Sequence, residues 1–333
     1  VHTTIDSDLV HAGHGDPVSL ARCLVAIPSV NPTLEAGGAG ERLIAERCAA
    51  WLEGWGFATR MEEVAPGRCN VVATRDGAGP APPLVVALTA DEEHASLGMQ
   101  ALVGSGVKAD LAVVCEPTGL SVMPAHKGFV WVRASFRGRA AHGSRPDLGI
   151  DAIRHAALFL TALDSLSDEL EARPPHPLLG CGSLHAGTIR GGTAESVYPE
   201  RCELLLERRT LPGEGPAAIM AELSTVLEGL KAHEHGLDAT LEVTLERPGT
   251  EVPADSTLVG GLLEAGASHD VPRVVEGMTA WVDAAFLNEA GIPAVCYGPG
   301  YIAQAHSADE WIELDQIGRC ADVLETFARS LCS

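Results

Sequence analysis

The sequence predicts a discontinuous α/β domain on a largely parallel sheet, interrupted by a ferredoxin-like (β-α-β-β-α-β) insertion. Three observations predict it. The chain has 333 residues, more than one ordinary core accommodates. Short apolar runs alternate with helical patterns at both ends, the signature of an α/β layer architecture. Between them the hydrophobic period switches from 3.6 to 2. The expected boundaries are 1–126 plus 248–333 for the first domain and 127–247 for the insertion.

The opening helix is predicted over 16–26, with Asp16 as N-cap and Pro17 at the first helical position. A second helix is predicted over 39–55, where Ile44, Cys48, Trp51, Leu52 and Trp55 share one face. The apolar runs 71–73, 84–88 and 111–115 read as buried strands of a largely parallel sheet. In the insertion, 128–137 is a strand with Val130, Val132, Ala134 and Phe136 on one side. A helix from 151 to about 166 follows, then strands 184–189 and 201–209, a helix 216–230 and a strand 239–245, the split β-α-β-β-α-β order. About 120 residues suit one such domain. Beyond Pro248, helices at 255–267 and 282–290 and a strand at 294–297 return to the α/β pattern. The last helix turns Ile317, Cys320, Val323, Leu324, Phe327 and Leu331 inward.

Composition narrows the function. A net charge of -22 argues against nucleic-acid binding, which needs basic patches to neutralise phosphates. No stretch is apolar for long enough to span a membrane, and the polar N-terminus has no signal core, so membrane partners are not expected. The nine cysteines are odd in number and form no C-x-x-C pair, which argues against a disulfide framework or a thiolate zinc site and suits a reducing cytoplasm.

The chemistry gathers at strand ends. The 84–88 run leads into Asp91-Glu92-Glu93. Such a cluster either complements a helix N-terminus or marks a site at the end of a buried strand. Glu116 directly follows the next buried strand, and His306 follows the Gly298-Pro299-Gly300 turn after a third. Carboxylates plus imidazole without thiolate suit zinc, cobalt or manganese.

With these residues in place, the chain resembles the zinc-dependent deacylase and exopeptidase family that includes acetylornithine deacetylase, succinyl-diaminopimelate desuccinylase, aminoacylase and carboxypeptidase G. The segments carrying the resemblance are ALTADEEHASLG, VVCEPTGL, HKGFVWVRASFRGRAAHGSRP, GGTAESVYPERCELLLERRTLPGE and GPGYIAQAHSADEW, with Pro28-Ser29-Val30-Asn31-Pro32 fitting the opening. They are most similar to acetylornithine deacetylase-like members. The resemblance implies a homodimer, formed through the inserted domain, that hydrolyses N-acyl amino acids with two metal ions per site. It makes Glu92 the general base acting on metal-bound water, Glu93 and His306 ligands of one metal, and Glu116 a ligand of the second. His142 would polarise the scissile carbonyl in a partner subunit's site. Arg209 would hold the substrate carboxylate with Gly298 and Gly300.

The chain also departs from the family. A Gly-His-x-Asp motif and a metal-bridging Asp are expected before the acidic run. Here Asn70–Arg75 leads through 76–83 directly into the Leu84 strand, so a block of some dozens of residues is missing near Pro83. Gly13-His14-Gly15-Asp16 imitates the lost motif but precedes the first helix, where Asp16 serves as a cap. Ser196, expected near the substrate, stands where many relatives carry Asn. The site is therefore expected to hold one ion or none, leaving an impaired hydrolase or a non-catalytic dimeric small-molecule-binding relative.

Overall fold

The computed structural model describes residues 16–332; Gly13, His14 and Gly15 of the imitation motif lie outside them. In chain order the elements are α1 (Pro17–Val25), α2 (Arg42–Gly54), β1 (Ala58–Ala65), β2 (Arg68–Arg75), β3 (Leu84–Leu88), α3 (Leu97–Gly104), β4 (Ala112–Val114), β5 (Val122–His126) and β6 (Gly128–Arg137). There follow α4 (Ala152–Ala172), β7 (Ser183–Gly191), β8 (Arg201–Thr210), α5 (Pro216–Lys231), β9 (Asp238–Arg247), β10 (Thr250–Glu251) and α6 (Thr257–Ala267). The chain closes with β11 (Val275–Met278), α7 (Ala284–Glu289), β12 (Ala294–Cys296) and α8 (Leu314–Cys332). It divides into two compact units, residues 1–124, 252–275 and 286–333 in the first and 125–251 with 276–285 in the second.

In the first unit, α1 starts as its sequence dictates. The Asp16 carboxylate accepts from the N–H groups of Val18 and Ser19, satisfying two of the donors that a helix start leaves orphaned. On α2, Ala45, Cys48, Ala49 and Leu52 are buried, and Ala45, Ala49 and Leu52 pack with Cys69, Val71 and Ala73 of β2. Ile44, Trp51 and Trp55 are only half-buried, so the inner face is rotated toward the alanines relative to the expected stripe.

The strand pairing corrects one expectation. The runs 71–73 and 84–88 do not join 111–115 in a single parallel sheet. β1, β2 and β3 form an antiparallel three-stranded sheet, with Val71 opposite Leu88 and Arg75 opposite Leu84. The cause is the short 76–83 link. A parallel return needs a crossover of roughly a dozen residues or more, whereas a short connection can only fold back as a hairpin. Parallel pairing is found between β4 and β12, Ala112 opposite Ala294 and Val114 opposite Cys296, while Met123 of β5 pairs antiparallel with Cys296. α6 and α8 contribute Leu258, Val259, Leu262, Cys320, Val323 and Phe327 to a core with Val295 and Tyr297.

The second unit has the expected split order. Its antiparallel sheet runs β7-β8-β6-β9. Val130, Val132, Ala134 and Phe136 of β6 alternate inward, as do Cys202, Leu204 and Leu206 of β8. They meet Phe159 and Leu163 of α4 and Leu223 and Leu227 of α5. The strands and α5 run one or two residues past the lengths read from the sequence, and α4 continues to Ala172 because Leu170 extends its buried face. All nine cysteines are free and six of them are buried, as small apolar side chains are. Among the described residues no helix is long and apolar enough to cross a membrane.

One buried group of the second unit sets a pH dependence. His126 Nδ1 lies 3.2 Å from the Lys127 carbonyl and Nε2 lies 2.8 Å from the Thr250 hydroxyl. A carbonyl can only accept, so Nδ1 carries the proton and Nε2 receives the Thr250 donor, which is the neutral imidazole. Burial pushes its pKa down to about 4. Between pH 6.5 and 4 the unfolded chain therefore binds a proton that the folded chain refuses, and stability falls as pH drops through that window. The loss is expected to reach about 2 kcal/mol at pH 5 relative to pH 8. Urea unfolding of the parent and of His126→Asn at both values tests it: the pH-dependent difference between them should vanish if His126 is not its source.

Candidate functional site

The acidic turn is built from both sides of β3. Asn70 of β2 is fully buried, and its side chain clasps both ends of the turn: Oδ1 accepts from Ala90 N–H at 3.0 Å and Nδ2 donates to the Gly98 carbonyl at 2.8 Å. Position 98 tolerates only glycine, since a Cβ there would lie 2.3 Å from Ala90 N and 2.4 Å from Asn70 Oδ1. Within this clasp the backbone N–H of Ser96 donates to the Asp91 carbonyl at 2.8 Å.

Asp91, the first carboxylate of the run, faces inward. It is 3% exposed and has a left-handed φ of 68°, rare for a residue with a Cβ. Arg68 and Asn31 donate to Oδ1 at 2.9 and 2.8 Å, and the N–H groups of Ala95 and Leu97 donate to Oδ2 at 3.2 and 3.4 Å. Burial acts to raise its pKa, but the bonds from Asn31 and Arg68 outweigh burial and hold the carboxyl below its usual value. Arg68 also grips Glu41 through Nε and Nη2. Sequence reasoning did not find Arg68, Glu41 or Asn70, because isolated polar residues far apart in the chain carry no periodic signal.

Glu93, the last carboxylate of the run, lies toward water. Glu93 and His306, which are 213 positions apart, meet directly, with His306 Nε2 2.9 Å from Glu93 Oε2. Both are exposed, at 60% and 78% of their side-chain surface. His306 is a further non-glycine residue at positive φ, 61°. Glu92 is half-buried between Asp91 and Glu93.

Glu116 follows β4, and its backbone is packed against the Gly298 turn after β12. A Cβ on Gly298 would lie 2.4 Å from the Glu116 carbonyl oxygen, so the residue there must be glycine. The Gly298 N–H donates to Thr118 Oγ1 at 3.1 Å, and the Gly300 N–H donates to Gln316 Oε1 at 2.8 Å. Burial pushes the Cys296 thiol up, and the charges of Glu116 and Glu92 add to that shift, so both carboxylates act on the end of β12. Among the described residues, however, no three His, Cys, Asp or Glu side chains gather as a metal site requires.

His142, Ser196 and Arg209 belong to the second unit. His142 Nδ1 accepts from Ser144 N–H at 3.2 Å, which places the proton of a neutral ring on Nε2. Its loop is tied to that of Ser196, whose carbonyl accepts from Gly143 N–H at 2.7 Å. Arg209 donates to the Thr279 carbonyl at 2.7 Å and lies over the Phe129 ring, 5.6 Å from its centroid. Burial lowers its pKa, and the Glu207 carboxylate at 3.8 Å offsets that in part.

Comparison with known proteins places this geometry in a family. The model of the peptidase dimerisation domain of the M20 family matches residues 124–235. Acetylornithine deacetylase of Myxococcus xanthus is 33% identical over 75% of this chain and 65% of its own length, so that match takes in less than two thirds of the relative. The Vibrio vulnificus enzyme of the same name is 30% identical over 77% of this chain and 67% of its own. That of Vibrio atlanticus is 26% identical over 93% of this chain and 97% of its own, in an alignment 371 positions long. The alignment is longer than this chain, so the relative carries residues with no counterpart here. Among solved structures, the aminopeptidase PepT of Bacillus cereus has a TM-score of 0.78 at 17% identity, covering 96% of this chain and 98% of its own. The YXEP protein of Bacillus subtilis, described as a dinuclear metal-binding peptidase of the M20 family, scores 0.72 at 15% identity over 95% and 97%. At such identities the likeness is one of fold. Sequence relatives, matched domain and shared architecture agree: the chain belongs to the M20 family of metal-dependent amidohydrolases and peptidases.

Proposed function

We propose that the chain is an acetylornithine deacetylase-like hydrolase of N-acyl amino acids, a cytoplasmic homodimer joined through its second unit, with turnover impaired by its missing segment. The observation that carries this reading is the meeting of Glu93 and His306 beside Glu92. A carboxylate oxygen and an imidazole nitrogen 2.9 Å apart fit part of the shell of one zinc, cobalt or manganese ion. A divalent ion held there would supply Lewis-acid polarisation.

The remaining roles fall to the chain's own residues. Glu92 takes the proton of the attacking water. His142 donates through Nε2 to the oxyanion that develops on the carbonyl. Arg209, a guanidinium with a planar donor fork, is the residue assigned to hold the substrate carboxylate, and Gly298, Gly300 and Ser196 are assigned to substrate binding by the family resemblance. The test is hydrolysis of N-acetyl-L-ornithine and other N-acetyl amino acids with added zinc or cobalt. Chelator-sensitive turnover above the buffer rate is expected; none with any of these substrates would sink the hydrolase reading.

A second reading, a non-catalytic dimeric binder of the same small molecules, is favoured by one observation: Asp91 is withdrawn into the Arg68 and Asn31 network. Turnover with bound metal would exclude it.

A further inference from the structure

We infer that the sheet face of the second unit bearing Phe129, Trp131 and Arg209 selects N-acyl amino acids with an aromatic side chain over those with a cationic one. The inference rests on the hydrolase reading above and deepens it by naming the substrate class. α4 and α5 pack on the face of β6 that carries Val130, Val132, Ala134 and Phe136. The opposite face carries two rows of side chains across three strands. Phe129 lies between Arg209 of β8 and Arg247 of β9, and Trp131 lies between Glu207 and Leu245. Directly opposed side chains of neighbouring strands adjoin. None of them belongs to the core that α4 and α5 close, and Phe129, Trp131 and Arg209 are half-buried. The rings form one group: Phe129 and Trp131 have centroids 5.3 Å apart, and Trp281 meets Phe129 edge-on at 6.3 Å. Aromatic residues make up 4% of the chain, so three gathered away from this core are a placement that the packing of the helices does not explain.

The charges beside these rings are mostly positive. Arg209 lies over Phe129 and Arg247 over Trp281, 5.6 and 5.5 Å from the ring centroids. Stacking uses the flat face of a guanidinium and leaves the N–H donors of its plane to a carboxylate. Burial and the Arg209 charge both push the Lys127 pKa down, so Lys127 shares that field. Glu207 is the acid of the two rows; it accepts from Trp131 Nε1 at 2.8 Å and stands 3.8 Å from Arg209. A substrate carboxylate held by Arg209 leaves the amino-acid side chain a few bonds away, within reach of Phe129 and its neighbours. An aromatic ring there gains ring–ring contacts. The ammonium of ornithine would instead meet the like charges of Arg209 and Lys127, and Phe129 and Trp281 already carry a guanidinium over their rings.

The full chain is titrated by calorimetry with N-acetyl-L-phenylalanine, its carboxamide, N-acetyl-L-alanine and N-acetyl-L-ornithine, and hydrolysis is measured on the same samples. N-acetyl-L-phenylalanine should bind about tenfold or more tighter than N-acetyl-L-ornithine. The carboxamide, which lacks the carboxylate, should bind about tenfold or more weaker than the acid. Phe129→Leu keeps most of the apolar volume and removes the ring. It should weaken N-acetyl-L-phenylalanine roughly fivefold and leave N-acetyl-L-alanine within about twofold. Equal or tighter binding of the ornithine compound overturns the inference, as does absent binding of N-acetyl-L-phenylalanine or unchanged binding of it in Phe129→Leu. The expected order of binding without turnover of any compound sinks the hydrolase reading alone. Turnover with the order reversed sinks this inference alone.

Discussion

Glu92→Ala is expected to slow hydrolysis of an N-acetyl amino acid by roughly 100- to 10,000-fold, the usual contribution of a positioned general base. KM should stay within about twofold, because a residue that moves a proton in the transition state contributes little to ground-state binding. The fold should be undisturbed. Glu92 is half-buried, and the turn it sits in is held by the bonds of Asn70 and Asp91. Glu92→Gln keeps the shape and removes the base, so it should be as slow as the alanine variant. Steady-state rates with matched circular dichroism spectra decide the matter. Activity equal to the parent's in either variant would remove Glu92 from the mechanism.

Arg68→Met is expected to cost 3–5 kcal/mol of stability, on the order found when one partner of a buried ion pair is removed. The side chain of Asp91 is 0% exposed, and Arg68 is the charged group bonded to it, at 2.9 Å. Without the guanidinium, a buried carboxylate keeps one amide donor and two backbone donors against a full desolvation penalty. The double variant Arg68→Met with Asp91→Asn should recover part of the loss, since it removes the charge as well as its partner. The sign with pH follows from the depressed Asp91 pKa. Its contribution is present above the ordinary carboxyl range and is lost as pH falls through it, and that acid sensitivity should be missing from the double variant. Urea unfolding measures all of this; a loss under 1 kcal/mol for Arg68→Met would show that the network is dispensable.

The legible part of this molecule is its local chemistry. Asp16-Pro17 announced α1, because a cap and a pre-set φ act within one turn. The alternation of β6 and β8 announced the second unit, because each has one face on the core. β1 was not read. No residue of its ATRMEEVA sequence is fully buried and it pairs only at one edge, so burial leaves no pattern on it. The direction of β3 was misread for a different reason. An apolar run reveals burial, but direction is set by the length of the connection before it. At the site, the strand ends brought the acidic run and His306 to one region, and the family resemblance supplied the pairing of Glu93 with His306 that the structure shows as a direct contact. The withdrawal of Asp91 was not, since it depends on Arg68 and Asn31, 23 and 60 positions away.

The order in which strands are made differs from the order in which they can pair. β12 lies between β4 and β5, yet it is synthesised some 170 residues after them. On the ribosome, the β1-β2-β3 hairpins can close as soon as residue 88 emerges, and the β6-to-β9 sheet can close by residue 247. The β4 edge, and the Met123 contact of β5, must wait for residue 296. Until then Ala112–Val114 presents unpaired backbone to the crowded surroundings of a nascent chain, the condition under which edge strands find the wrong partner, while Val122–His126 can begin to pair with β10 once residue 251 has emerged. Slow or chaperone-dependent maturation of the first unit, with the second already native, is the consequence for how the protein is made in a cell.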